Sequence, residues 1–491
     1  MTAAGEPFRL GAGSCISSKV QAGDRKKRAM AKALTPNRSP AAFAARLIML
    51  LTLSFAMAVQ PAAAQSILRD AETEQLLLDM SRPLVEAAGL RPDDVKVVMI
   101  GDRSINAFVA GGQIVYLHSG LIEAADNANE VQGVIAHELG HVTGGHIIRF
   151  QQGAAVASKV MLLSLLLGAA AMALGGGEAA AGLLQAGQHA ATGKFYSFIS
   201  TQESSADQAG ASFLKKSGIS GRGSLAFFKK LQNQEMRYSI PQDDSYFRTH
   251  PLSGTRIATL ESMYKADPAW EKPTDPALEA RFQRVKAKLA GFVNDPKVTL
   301  NKFPENDKST PARYARAYAW HKSSYPDRAD AEVNSLLKDK PDDPYFLELK
   351  GQILLESGKP KEALESLRKA VALAPAQPLI SALFGHALIA TEDERNFNEA
   401  RQVLRSAIGR DNSNPFAWYQ LGIVYDREGD SARAALATAE RYNLEGQAKL
   451  AMVNAEQAML GIPRGTPDWI RAQDIAMVSR TEVEKGKKGG R

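Results

Sequence analysis

Two histidines four residues apart, with a glutamate beside the first, stand at His137-Glu138-Leu139-Gly140-His141. On a helix, positions i and i+4 share one face, so both imidazoles can reach one metal ion. Glu138 lies one step round the helix and can hold a water on that metal. Two neutral nitrogens suit a borderline-soft cation, and zinc fits best. The flanking Val131, Val134, Ile135, Leu139 and Val142 make an apolar stripe, so the pattern sits on a long amphipathic helix starting near Asn127. Two surface histidines around a solvated glutamate would not need that stripe.

A catalytic zinc takes three protein ligands and keeps one position open. The candidate third ligand is Glu203, in Glu203-Ser204-Ser205-Ala206-Asp207. Helical spacing sets Asp207 one turn on, where it could accept the proton of a ligand histidine's far nitrogen. Spacing alone is weak support, since acids four apart usually make a solvated face. His146 is five residues past His141 and is expected to point away from the metal face. His189, His321 and His386 read as surface or packing residues, and nothing requires His118 at the site.

The surrounding elements must position these groups. Leu68, Leu76, Leu77, Met80, Leu84 and Val85 recur at helical spacing, closed by Pro92. Val97–Ile100 and Ile114–Leu117 read as strands on either side of the Gly111-Gly112 turn. Val160–Leu174 is apolar or small except for Ser164, and after Gly175-Gly176-Gly177 the theme resumes to Leu184. At 1.5 Å per residue the first stretch is ~22 Å long, short of a ~30 Å bilayer core. Residues 160–184 are therefore either a hairpin that contacts a membrane peripherally or covers the site, or a buried helix pair. Residues 266–311 carry six prolines and many charges, and read as a linker around one helix, Pro276–Phe292.

Behind the linker comes a repeat. Gly351, Gly385 and Gly422 are 34 and 37 residues apart; Ala363, Ala400 and Ala434 are 37 and 34 apart; Pro341 and Pro375 are 34 apart. Small residues where paired helices touch, with prolines ending the second helix, resemble the tetratricopeptide repeat. Tyr314–Leu337 is a degenerate first unit, and Ala448–Leu460 a capping helix. Repeats bury their apolar faces against neighbours, so 312–460 is expected to fold as a self-contained solenoid. Residues 461–491 are expected to be a partly disordered tail.

The chain has 491 residues, 45% of them hydrophobic, and a net charge of +7. Nine basic and two acidic residues in positions 1–64 account for all of that excess, so the charge offers no case for nucleic acid. Arg46, the apolar run Leu47–Val59, Pro61 and Ala62-Ala63-Ala64 read as a secretory signal cut after Ala64, with Met1 or Met30 as the start. Cys15 is the only cysteine, so the remainder can form no intrachain disulfide.

Taken together, Asn106-Ala107-Phe108, Gly111-Gly112, His118-Ser119-Gly120-Leu121, the His137–His141 motif, Glu203–Asp207 and Arg248-Thr249-His250-Pro251 resemble the M-forty-eight family of zinc metallopeptidases. The closest resemblance is to its periplasmic branch with tetratricopeptide repeats. It implies a mainly α protein, with a gluzincin-type α+β metalloprotease domain (65–265) followed, after the 266–311 linker, by an α-helical repeat solenoid (312–460). It implies one zinc ion per chain on His137, His141 and Glu203. Glu138 becomes the general base and Asp207 the acid behind the ligands. Asn106, Phe108 and Gly112 become substrate-binding positions on the wall and edge strand Asn106–Tyr116, along which an extended peptide would lie. His250 becomes a site residue in one of two roles: a hydrogen-bond donor to the tetrahedral oxyanion, or a fourth ligand that keeps the enzyme latent. The implied substrates are unfolded or misassembled envelope proteins. The implied partner of the repeats is the machinery that inserts outer-membrane β-barrels. The competing expectation is a chaperone or scaffold for that assembly whose protease is latent.

Overall fold

The computed structural model of the chain describes residues 66–237, 250–251 and 253–489. The basic segment 1–64, with its expected signal and cleavage near Ala64, lies outside the described residues, as do Arg248 and Thr249. Gln65–Arg491 form one compact unit.

Strand β1 (Ile67–Leu68) leads into helix α1 (Ala71–Ala87). The Asp70 side chain caps α1 by accepting from the Thr73 amide, and Leu76, Leu77, Met80, Leu84 and Val85 are buried. Strands β2 (Lys96–Ile100), β3 (Ala107–Ala110) and β4 (Ile114–His118) follow. The sheet order is β1-β2-β4-β3, with β2 and β4 parallel and β3 antiparallel to β4. The Gly111-Gly112 turn therefore joins β3 to β4, and not β2 to β4 as the apolar runs suggested. Both glycines have positive φ, +62° and +95°, as a tight hairpin turn requires. The expected edge strand narrows to β3: Tyr116 lies on β4, in the sheet interior.

After α2 (Ser119–Ala124) comes α3 (Ala128–Gly144), capped by Asn127 and ended by Gly145 at φ +62°. Next are α4 (His146–Ala173) and α5 (Gly177–Lys216), a long antiparallel pair. Helix α3 crosses the far end of α5 very closely. A Cβ on Gly140 would fall 2.5 Å from the Ala206 carbonyl oxygen, and one on Gly210 would fall 3.0 Å from Ala136. These small residues let two backbones meet where the histidine motif and the Glu203–Asp207 pair must face each other.

Helices α6 (Arg222–Arg237), α7 (Gly254–Lys265), α8 (Pro276–Val293) and α9 (Pro296–Lys302) close the first half. The segment 266–311 is not a loose linker. Phe282, Val285 and Leu289 of α8 belong to the same core as α1, α3 and the sheet. Four of the six prolines that suggested a linker sit in the first turns of helical segments, among them Pro276 behind the Asp275 cap and Pro296 behind Asp295.

Helix pairs then stack in order: α10 (Thr310–Lys322) with α11 (Pro326–Asp339), α12 (Pro344–Glu356) with α13 (Pro360–Leu373), α14 (Pro378–Ala390) with α15 (Phe397–Arg410), and α16 (Pro415–Arg427) with α17 (Ser431–Leu444). Two of the three repeat glycines do what their period implies. A Cβ on Gly351 would strike Leu367, and one on Gly385 would strike Leu404, whereas one on Gly422 would only touch Ala437 at 3.5 Å. Helices α18 (Ala448–Gly461) and α19 (Pro467–Gly489) complete the stack. The expected tail is thus largely helical, because Ala472, Ile475 and Ala476 share one face and bury against α17 and α18.

The repeats do not stand apart from the first half. Glu72 of α1 is buried against Arg284, accepts from the Tyr314 hydroxyl at 2.8 Å and pairs with Lys288 at 3.4 Å. Asp343, which caps α12, holds the other side of Arg284. Arg69 reaches Asp411, and Gln377 donates to Gln75. Leaving a buried cation unpaired costs ~3–5 kcal/mol. Glu72→Ala is expected to cost less, about 2 kcal/mol, because Asp343 and Asp70 remain for Arg284 and Lys288. Urea melts would read this as a lower midpoint; an unchanged midpoint would mean that the network does not hold the repeats to α1.

Candidate metal centre

Helix α3 presents His137 and His141, one turn apart, and α5 presents Glu203 opposite them. His250 arrives from beyond α6. All four side chains are buried, and their ligand atoms lie within 4.8 Å of one another. The distances are informative. Nε2 of His137 is 3.1 Å from Nε2 of His141, 3.4 Å from Glu203 Oε2 and 3.3 Å from His250 Nδ1. Glu203 Oε1 is 3.3 Å from His141 Nε2, and His250 Nδ1 is 3.2 Å from Glu203. Metal bonds of ~2.0–2.1 Å in a tetrahedron give edges of ~3.3–3.4 Å. The donor set and its spacing fit a zinc ion.

The far nitrogens are held as well. Nδ1 of His137 lies 3.0 Å from Asp207 Oδ1. Arg256 of α7 clamps Asp207 with two hydrogen bonds, 2.6 and 2.9 Å, and reaches Glu203 at 3.1 Å. Asp207 therefore lies between His137 and Arg256. Burial would lower the His137 pKa, but Asp207 and Glu203 overcome it and raise it to about 10. Burial would raise Glu203, yet the neighbouring His250 and His137 hold it far below the usual carboxylate range. Asp207 is lowered too, against its burial, by Arg256 and His137. His141 is pushed well down by burial and by the charges of His137 and His250.

His146 does not point away. Its Nδ1 is 3.0 Å from Nδ1 of His141, and it is buried. The i+5 argument assumed a continuous helix. Gly145 breaks α3 with a left-handed cap, and His146 restarts the chain as the first residue of α4, folded back over the motif. His146 thus orients His141, leaving Nε2 for the metal. Removing such a supporting partner costs 10–100-fold in metal affinity. For His146→Ala we expect about tenfold weaker zinc binding in chelator competition. Unaltered affinity would reduce His146 to packing.

Glu138 is 1% exposed, and neither carboxylate oxygen has a hydrogen-bond partner. His250 Nε2 is 3.5 Å away. Burial raises its pKa, moderated by His250 and His137. A buried carboxylate with free lone pairs beside the ligands is what a proton acceptor needs.

The expected substrate-binding positions Asn106, Phe108 and Gly112 lie on or beside β3, but the first two do not face its open edge. The His118 amide donates to Asn106 O, so 106, 108 and 110 turn their backbone groups inward to β4 while 107 and 109 face the open edge. Phe108 stacks on Tyr116 at 5.1 Å, and Gly112 stands exposed in the turn. Asn106 is buried, with its Oδ1 unpartnered. His250 Nε2 reaches the outward Ala107 carbonyl oxygen at 3.3 Å. His118 is buried behind Phe108 and bonds Ser104. Arg256 escaped the sequence reading because a lone arginine on an amphipathic helix carries no local pattern.

Residues 67–264 match the model of Peptidase family M48, and residues 345–377 that of a tetratricopeptide repeat. The chain is 27% identical over 290 residues to a putative beta-barrel assembly-enhancing protease of Vibrio cholerae, covering 58% of this chain and 59% of that one. It is 26% identical over 391 residues to the beta-barrel assembly-enhancing protease of Escherichia coli, covering 78% and 77%. A third relative, metalloprotease LoiP of Escherichia coli, is 30% identical over 36% of this chain and 65% of its own. Among solved structures, the tetratricopeptide protein YrrB aligns with 36% of this chain and 92% of its own, at 20% identity and a TM-score of 0.30.

Proposed function

We propose that this chain, which carries a Peptidase family M48 domain followed by tetratricopeptide repeats, is a zinc metalloendopeptidase of the bacterial periplasm. It would hydrolyse peptide bonds of unfolded or misassembled outer-membrane proteins. The observation that carries this reading is the convergence of His137, His141, Glu203 and His250, whose ligand atoms all lie within 4.8 Å of one another, with the unpartnered carboxylate of Glu138 beside them.

When bound, zinc would polarise the scissile carbonyl and acidify a water. The chain's own residues do the rest. His137, His141 and Glu203 would hold the ion, with Asp207, Arg256 and His146 fixing their orientation. The outward backbone groups of Ala107 and Val109 pair with an extended peptide, which favours unfolded clients over folded ones. Glu138 accepts the proton of the attacking water and passes it to the departing amine. No covalent intermediate is needed.

Export and the outer-membrane clientele rest on the signal-like segment ending near Ala64 and on the names of the relatives. The repeats supply the partner surface, with the β-barrel assembly machinery as the partner class. Mass spectrometry of the N-terminus tests export: a chain retaining Arg46 in the cytoplasm would defeat it.

A second reading has its own observation. His250 lies inside the ligand set, so the protein could act chiefly as an assembly scaffold whose protease is held closed. Zinc content and casein cleavage by the purified chain separate the two. A chain that binds about one zinc yet cleaves nothing, even after His250→Ala, would return the scaffold reading.

A further inference from the structure

Helices α4 and α5 run out from the metal centre as a hairpin that the catalytic reading leaves unused. The arms meet through small residues: a Cβ on Gly187 would strike Ser164, and one on Gly168 would touch Leu184. Ser164, Gly168, Ala180 and Gly187 are buried there. Most of the rest of the hairpin is exposed. Leu162 and Leu166, two residues either side of Ser164 and so opposite it on the helix, are 56% and 60% exposed, and the leucines between and beside them are scarcely less so. Helix α4 is long and apolar enough to pass as a membrane span, with a mean hydropathy of 1.9 over its most apolar window. Such a signal usually comes from a core helix or a leader. Here the window is only 11% buried and lies in mid-chain.

We propose that this hairpin seats the protein on a lipid bilayer surface, lying along it with the outer face of α4 immersed. Three observations favour lipid over a protein partner. First, exposed apolar residues surround α4 on every side except the seam with α5, whereas a protein partner covers one face. Second, the hairpin is amphipathic as a pair. Gln185 and His189 lie two residues either side of Gly187, on the side of α5 away from α4, and both are exposed. An apolar face sunk ~5–10 Å into the headgroup boundary is the habit of interfacial helices. Third, the base carries a collar suited to headgroups. Phe150 and Phe195 pack edge to face at 5.6 Å beside exposed Tyr196. Arg149, Lys159 and Lys194 are the cations of 146–200, and Glu178 its only acid below Glu203. Leu162 is 16 residues beyond His146, so the immersed face begins ~24 Å along the helix from His146. The sheet edge would then work within reach of the membrane surface.

The test uses the compact unit Gln65–Arg491 and vesicles of phosphatidylethanolamine and phosphatidylglycerol, 3:1, against phosphatidylcholine alone. We expect flotation with the anionic vesicles and weaker flotation with the neutral ones. L162E with L166E should cut vesicle partition by roughly a hundredfold, the loss expected for two buried leucines. Its melting temperature and zinc content should stay as in the parent, because both positions face solvent. The unit contains no cysteine, so L166C takes a single environment-sensitive fluorophore, which should shift to the blue on vesicles. The Glu138→Gln variant should float like the parent, so this result is independent of the peptidase reading. Absence of flotation with the anionic vesicles, or a fluorophore that stays in water while the protein floats, would overturn the proposal. So would self-association, or capture of a denatured β-barrel protein, that L162E/L166E abolishes without any vesicle binding by the parent.

Discussion

Glu138→Gln is expected to lower casein cleavage by roughly 10²–10⁴-fold, the usual contribution of a positioned general base. The chain should still bind about one zinc, because Glu138 is not among the four convergent ligand groups. The substitution is nearly isosteric and removes a buried carboxylate whose oxygens have no hydrogen-bond donors. Desolvation is the first cause of that carboxyl's raised pKa, so its charge is held at a cost in stability. The amide should therefore melt no lower than the parent, and a small rise would fit a site that trades stability for function. Cleavage rate, metal content and melting temperature are read on the same preparation. Cleavage at the parental rate would take the base role from Glu138. Loss of zinc would instead make it a ligand.

Much of this site was legible because its chemistry is local. His137, Glu138 and His141 are placed by one helical turn, and Glu203 and Asp207 by another, so spacing carried the geometry. What spacing could not carry was the meeting of the two helices. Gly140 and Gly210 permit that approach, but neither announces its partner in sequence. His146 was misjudged because the i+5 rule holds only while the helix continues, and Gly145 ends it. The repeat was legible from its period. Its attachment to α1 was not, because Glu72, Arg284 and Asp343 are far apart in the chain and each resembles a solvated charge by itself. The prolines of 266–311 were ambiguous for a different reason: proline marks both coil and the first helical turn, and only the preceding aspartate caps tell them apart. The apolar stretch after Val160 left membrane contact and burial both open, because length and hydropathy do not say which side of a helix meets solvent. Leu162 and Leu166 are exposed, so this face of the pair is not buried within the chain.

His250→Ala is expected to raise proteolysis, and the geometry gives the sign. An oxyanion donor must stand back from the ligands by the width of the oxygen it serves. His250 Nδ1 instead lies 3.2 Å from Glu203 and 3.3 Å from His137 Nε2, which are ligand-to-ligand distances in a tetrahedron. A fourth protein ligand closes the position that a catalytic zinc must keep open. The same ring places Nε2 on the Ala107 carbonyl, an outward group of the edge strand where a substrate backbone would pair. In the latch arrangement one side chain would block both the water and the peptide. Removing it would free both, while His137, His141 and Glu203 would still hold the ion. If closure is favoured by about 2.7 kcal/mol, one chain in a hundred is open, and the variant gains up to about a hundredfold in rate. Self-cleavage on storage should accompany the gain and should vanish in the double variant with Glu138→Gln. The donor role predicts the reverse, a loss of ~3 kcal/mol and roughly a hundredfold fall. Assays at saturating zinc with metal content measured in parallel decide the matter: a clear fall at unchanged occupancy would end the latch.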